Sequence, residues 1–276
     1  MWKELFCLVA FVAISYAPST GLANLAPLGS AQDFAVLGAS GVTNTGSTTI
    51  YGSLGVDPGS AITGFPPGTV TGGSIYGPGG VSDLAQSDAL AAYNTLVDQS
   101  VTETLTGQDL GGLTLSPGVY FFQTTAQLTG TLTLDFTTDP EGDFVFQIGT
   151  ALTTASNSSV NVLNGSPLSG VYWQVGSSAT LGSGTMFAGN ILADQSITLV
   201  TSADILCGRT IALNGAVTMD TNRLSNNNTL QDFGSGRDDF GSYGFSGIPE
   251  PGTFLFLVSG MGSVYAFGRR RFFSIS

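Results

Sequence analysis

Three carboxylates crowd into Asp139-Pro140-Glu141-Gly142-Asp143, and oxygen ligands at that density are what a hard cation such as calcium takes. The segment separates two strand-like stretches, and Asp-Pro and Glu-Gly are turn dipeptides, so it reads as a turn. Asp238-Asp239 lies in a Gly/Ser-rich stretch and reads as a solvated pair. The chain has no histidine, which excludes Ser-His-Asp and Cys-His nucleophiles and every histidine-containing metal site. Between residues 28 and 232 the basic residues are Arg209 and Arg223, so a polysaccharide lyase on this chain would have only an arginine to serve as base. Gly77-Pro78-Gly79-Gly80 leads into a helix without the strand that a phosphate-binding loop needs before it. No catalytic residue, metal or cofactor is expected.

The chemistry left to the chain is that of an uncharged polar surface. Charged residues are 9% of the 276, against about 25% in an average soluble domain. Net charge is −12 with seven Lys+Arg, which argues against a nucleic-acid partner. Threonine, serine and glycine recur in short alternating blocks such as Thr131-Leu132-Thr133-Leu134, Ser159-Val160-Asn161-Val162, Ser196-Ile197-Thr198-Leu199 and Ala216-Val217-Thr218-Met219. Ile197 and Val217 are 20 residues apart, and Gly189-Asn190-Ile191-Leu192-Ala193 aligns with Gly208-Arg209-Thr210-Ile211-Ala212, 19 residues on. A period near 20 in short strands predicts a β-solenoid, with a β-sandwich as the alternative. Stacked strands repeat their side chains every ~4.8 Å, and threonine has few χ1 choices. A flat, weakly charged face of this kind can order water above it, as a binder of a crystalline surface such as ice must; threonine is also an ordinary strand residue.

One segment, about 82–100, has helical periodicity. Ala85, Ala89, Ala92 and Leu96 fall on one face, joined by Tyr93 and Val97, with Ser82 as N-cap and Asp83 in the first turn. Its small side chains predict close packing along one side of the solenoid. Val119–Phe122 and the region around Trp173 supply bulky core. The two cysteines do not form an internal disulfide in the mature chain: Cys7 falls in the leader, and Cys207, beside Ile205 and Leu206, is expected in the core.

Both ends read as addresses. Residues 5–14 form an apolar run after Lys3, with Gly21 and Ala23 beyond it, which predicts a signal peptide over 1–23; a buried N-terminal strand is the alternative. The solenoid domain is expected over 24–232 and a flexible linker over 233–248. Residues 249–276 hold Pro249-Glu250-Pro251, an apolar stretch shorter than an ordinary spanning helix, and Arg269-Arg270-Arg271. This tripartite tail resembles the PEP-CTERM sorting signal of Gram-negative bacteria. The resemblance implies a secreted or cell-surface protein whose partners include the export and sorting machinery. Contact with the membrane would run only through the tail before processing, a permanent C-terminal anchor being the alternative.

The body carries a second resemblance. LGSAQDFAVLGASGVTNTGSTTIYGSLGVDPGSAITGF (28–65), SDLAQSDALAAYNTL in the helix, GGLTLSPGVY (111–120), TGTLTLDF (129–136), FVFQIGTALTTASNSSV (144–160), VYWQVGSSATLGSGTMFAGNILADQSITL (171–199) and GRTIALNGAVTMDTN (208–222) resemble the ice-binding-protein family whose domain is known as DUF3494. The match runs through essentially all of 28–222. It implies a discontinuous right-handed β-solenoid of triangular section with one long helix alongside, the N-terminal segment packed against later coils. It also implies adsorption to ice through one flat face, with no cofactor and no turnover. Members of the family often carry Thr-(Ala/Gly)-x-(Thr/Asn) on that face. Thr45-Gly46-Ser47-Thr48 and Thr154-Ala155-Ser156-Asn157 fit it; segments 129–132, 183–186 and 201–204 fit in part, their fourth residues departing from it. The expected ice-binding residues are therefore Thr45, Ser47, Thr48, Thr129, Thr131, Thr154, Ser156, Asn157, Ser183, Thr185, Thr201 and Ala203. Met186 and the carboxylate of Asp204 are the departures expected to weaken the face. The alternative is an adhesion or matrix protein on the same scaffold, with exopolysaccharide or a partner cell in place of ice.

Overall fold

The computed structural model describes residues 28–165 and 169–226. The expected leader, the linker and the sorting tail with Pro249, Glu250, Pro251, Arg269, Arg270 and Arg271 lie outside them. Alternation of apolar and polar residues gives short strands, and every strand pairing is parallel. A coil has three strand segments, as in Gly118–Phe122, Ala126–Leu128 and Thr131–Asp135, followed by Asp143–Ile148, Leu152–Thr154 and Ser159–Leu163. Each segment pairs with its counterpart in the next coil, so the chain is a three-sided β-solenoid. Apolar residues of alternate positions fill its interior, with Phe146 stacked on Trp173 at a centroid distance of 3.9 Å.

The repeats read from the sequence are the register of this stack. Gly189 to Ala193 pair with Gly208 to Ala212, and Ile197 pairs with Val217. Strands Met186–Ala193 and Asp204–Ala212 each turn a corner from one side to the next, with a register shift between Ala188 and Gly189. A Cβ on Gly208 would come within 1.9 Å of the Gly189 carbonyl oxygen, so only glycine lets the two backbones pass. Cys207, at φ 60°, sits in this irregularity, buried and in no disulfide.

The stack does not follow chain order. Phe34–Gly38 lies between Asp204–Ala212 and Ser53–Val56. Gly41–Thr45 lies between Ala216–Asp220 and Ala61–Thr63. The first two coils are therefore mounted on the last one, as the resemblance implied.

The helix is Val81–Val97, shorter than the expected 82–100. Ala85, Ala89, Ala92 and Leu96 are buried as predicted, against Phe34, Leu37, Val145, Tyr172, Leu192 and Ile211 of the first side. Val97 is instead 47% exposed, and Ser82 is not the cap: Gly80 holds that position, while the Ser82 side chain is buried inside the first turn. The helix C-terminus leaves carbonyls without intrahelical partners. Gln147 Nε2 reaches from the sheet to donate to the carbonyls of Leu96 (2.8 Å) and Gln99 (2.9 Å). The Asp139–Asp143 segment is a turn, as read.

Candidate functional site

The three sides differ in what they show to solvent. The first is covered by the helix. A second presents Thr131, Ser159, Met186, Asp204, Arg223, Thr49 and Thr69 across its strands. Met186 breaks its flatness, and the Arg223 guanidinium stands 3.9 Å from the Asp204 carboxylate. The third side is a seven-stranded sheet, ordered Ala126–Leu128, Leu152–Thr154, Ala179–Leu181, Ile197–Leu199, Ala216–Asp220, Gly41–Thr45, Ala61–Thr63. In the first six of these strands an outward residue stands between two inward ones, because the side-chain period is two, whereas Ala61–Thr63 reads outward, inward, outward. The outward residues are in register as Gln127, Thr153, Thr180, Thr198, Thr218, Thr43 and Thr63, the last of these at the end of its strand.

Six threonines thus stand on six adjacent strands, about 4.8 Å apart. Five of them are fixed between buried neighbours such as Ile197 and Leu199 or Val217 and Met219, and Thr63 follows Ile62, which packs against the core. Two residues earlier on the same strands come Thr125, Ala151, Ser178, Ser196, Ala216, Gly41 and Ala61. None of these is charged or long, so the threonine file has open, level surface beside it. Where the file ends, Gln127 pairs with Asp109. Burial would raise the Asp109 carboxyl, but hydrogen bonds from the backbone N–H groups of Gly111 (2.7 Å) and Thr129 (2.9 Å) outweigh it and hold the group below its ordinary range.

The residues expected from the sequence lie mostly at the corner after this sheet. Thr45 and Thr129 point outward two places beyond the ladder, and Ser47, Ser156, Asn157 and Thr201 are exposed in turns. Ser183 is half-buried in a turn, and Thr131 belongs to the second side, hydrogen-bonded to Ser159 at 2.9 Å. Four of the expected residues have no free surface to offer: Thr48, Thr154, Thr185 and Ala203 are buried. The reason is backbone accounting, since a tight corner leaves N–H and C=O groups that short side chains must satisfy. Thr154 and Thr185 share a 2.8 Å hydrogen bond, and Thr154 Oγ1 accepts the Gly182 N–H. Thr48 Oγ1 accepts the Asn222 N–H, and Asn222 Nδ2 donates to the carbonyls of Val200 and Ala203. Met186 and Asp204 lie on the second side, around the corner from the threonine file.

Thr43, Thr63, Thr153, Thr180, Thr198 and Thr218, which the structure aligns in one file, are not among the residues that the tetrads pick out. For three of them a threonine between two apolar residues, as in Ala179-Thr180-Leu181, Ile197-Thr198-Leu199 and Val217-Thr218-Met219, is the available signal; Thr43, Thr63 and Thr153 lack it.

The family model described as Ice-binding-like matches residues 36–225. An ice-binding protein of Nostoc sp. (strain HG1) is 55% identical over 220 residues, which are 79% of this chain and 81% of that protein. A crystal structure of an ice binding protein from an Antarctic biological consortium superposes with a TM-score of 0.68 at 40% identity, over 72% of this chain and 90% of the other. The DUF3494 domain of Shewanella frigidimarina ice-binding protein 1 superposes with a TM-score of 0.65 at 29% identity, over 73% and 98%.

Proposed function

Since the chain belongs to the ice-binding-like family, we propose that it adsorbs to ice through the seven-stranded side, with Thr43, Thr63, Thr153, Thr180, Thr198 and Thr218 as the contact ladder. The observation that carries this reading is the register: one outward threonine per strand across six strands, beside a file of Gly, Ala, Ser and Thr. β-Branched side chains lose little rotamer freedom when held in such a row, so an ordered water layer can bridge hydroxyls and methyls at small entropic cost. The protein acts without turnover: an adsorbed molecule pins the ice front, lowers the freezing point and slows recrystallisation. The leader and the sorting tail support export to the outside of the cell, where ice forms. The sorting tail would also suit a matrix adhesin, but the relatives that this chain resembles are named for ice binding, which favours ice.

The test is thermal hysteresis and recrystallisation inhibition of Thr218→Lys and Thr180→Lys beside Asn161→Lys on the second side. Loss of activity in both threonine variants, with circular dichroism unchanged and Asn161→Lys active, is the expected result. Full activity in Thr218→Lys and Thr180→Lys would overturn the assignment of the face.

A further inference from the structure

The two uncharged files of the seven-stranded side are bounded, on six of its strands, by a third, two residues beyond the ladder: Thr129, Ala155, Gly182, Val200, Asp220 and Thr45. Five of these six are small or uncharged, and the sixth is a carboxylate. Asp220 pairs in register with Thr45 on the neighbouring strand and keeps part of its surface exposed. Its carboxylate is held in place by two hydroxyls: Thr201 donates to one oxygen and Thr221 to the other at 3.0 Å. The residue after Thr45 on the next strand is Gly46, which has no side chain to lay over the carboxylate. A Cβ at Gly46 would meet Thr221 Oγ1 at 2.2 Å and an Asp220 oxygen at 3.2 Å, and its φ of +81° favours glycine in any case. The charge is thus pinned on the sheet and open to whatever lies above it.

We propose that Asp220 sets the limit of the ice-contact area, confining it to the ladder and the small-residue file, so that this one residue determines how strongly the face binds. A carboxylate keeps a tightly oriented hydration shell that an ice-like layer cannot match, and stripping that shell is costly. A free acidic side chain could swing away; this one is tied by Thr201 and Thr221. Without the charge, the level surface would extend a third file, from Thr129 to Thr45. This inference rests on the reading that the seven-stranded side meets ice.

The experiment measures thermal hysteresis at equal molar concentration for Asp220→Asn, Asp220→Ser and Asp220→Glu, with Thr218→Lys in parallel and melting temperatures for all. Asn retains an acceptor for one threonine hydroxyl, Ser tests the effect without the amide, and Glu keeps the charge. The expected result is a rise of about twofold or more in Asp220→Asn and Asp220→Ser, because the desolvation penalty is gone, and no rise in Asp220→Glu. Unchanged or lower hysteresis in folded Asp220→Asn and Asp220→Ser, while Thr218→Lys is inactive, would overturn the role of Asp220 and leave the face in place. Full activity in Thr218→Lys would remove the face itself. A rise in Asp220→Glu equal to that in Asp220→Asn would show that charge is not the cause.

Discussion

A buried hydroxyl stabilises a fold only when it has a partner, and this chain contains both cases. Thr154 has two partners, Thr185 Oγ1 and the Gly182 N–H, and so closes a corner from the inside. Replacing it with valine leaves the shape and removes both bonds. Thr154→Val should therefore lose about 1–3 kcal/mol of stability while keeping its ice activity per folded molecule. Urea unfolding beside a recrystallisation assay checks both halves. Ser82 is the opposite case: its Oγ is buried in the first turn of the helix and finds no acceptor or donor there. Ser82→Ala removes an uncompensated polar group and improves helix propensity, so the melting temperature should rise by about 2–4 °C. A serine acting as N-cap would give the opposite sign, a loss of about 1 kcal/mol on mutation to alanine. One thermal melt therefore separates the two roles that the same residue could hold.

At the scale of the element, the turn before Asp143–Ile148 carries a pH dependence. Burial, reinforced by the nearby Asp139 carboxylate and opposed by the Gly170 N–H, pushes the Asp143 carboxyl up to about 7. The folded protein then holds a proton that the unfolded chain gives up near its ordinary value of 3.8. Stability falls as pH rises between those two values, and the penalty is complete above them. Asp143→Asn should be more stable than the parent by about 1–3 kcal/mol at pH 8 and by almost nothing at pH 4, since one pKa unit corresponds to about 1.4 kcal/mol and the group keeps some solvent. Chemical denaturation at the two pH values reads this directly. The same scale shows what could be read from the residues. The helix face of Ala85, Ala89, Ala92 and Leu96 was legible because helical spacing is local. So was the match of 189–193 with 208–212, which is the register of two adjacent strands. The threonine ladder was not, because its members are single residues at uneven intervals: 27 from Thr153 to Thr180, 18 from Thr180 to Thr198, 20 from Thr198 to Thr218. The file then jumps back to Thr43, and no fixed period reaches across that step. Corner tetrads such as Thr154-Ala155-Ser156-Asn157 are contiguous and draw the eye, yet two of the residues that such tetrads aligned, Thr154 and Thr185, serve the inside of the corner.

For the whole molecule, the order of the coils decides how it fails. In an ordinary solenoid each coil touches only its neighbours in sequence, so losing the last one leaves the others standing. Here Phe34–Gly38 depends on Thr210 and Ile211, Gly41–Thr45 on Ala216–Asp220, and Thr49–Tyr51 on Arg223–Ser225. The Arg209 guanidinium, buried and bonded to the Gln32 carbonyl at 2.8 Å, ties the start of the domain to its last coils as well. Ending the chain at residue 203 should therefore strip the partners from the first two coils as well as the last. The fragment should show neither a cooperative melt nor slow amide exchange in residues 34–56. A fragment that kept protected amides there would mean that the first coils hold themselves. The same arrangement governs how the protein is born. Synthesis delivers the chain amino end first, but the strands that emerge first have one of their two docking edges among the residues that emerge last. Contacts so distant along the chain are slow to close. The opening strands must wait, paired on one edge only, until nearly the whole domain has been delivered.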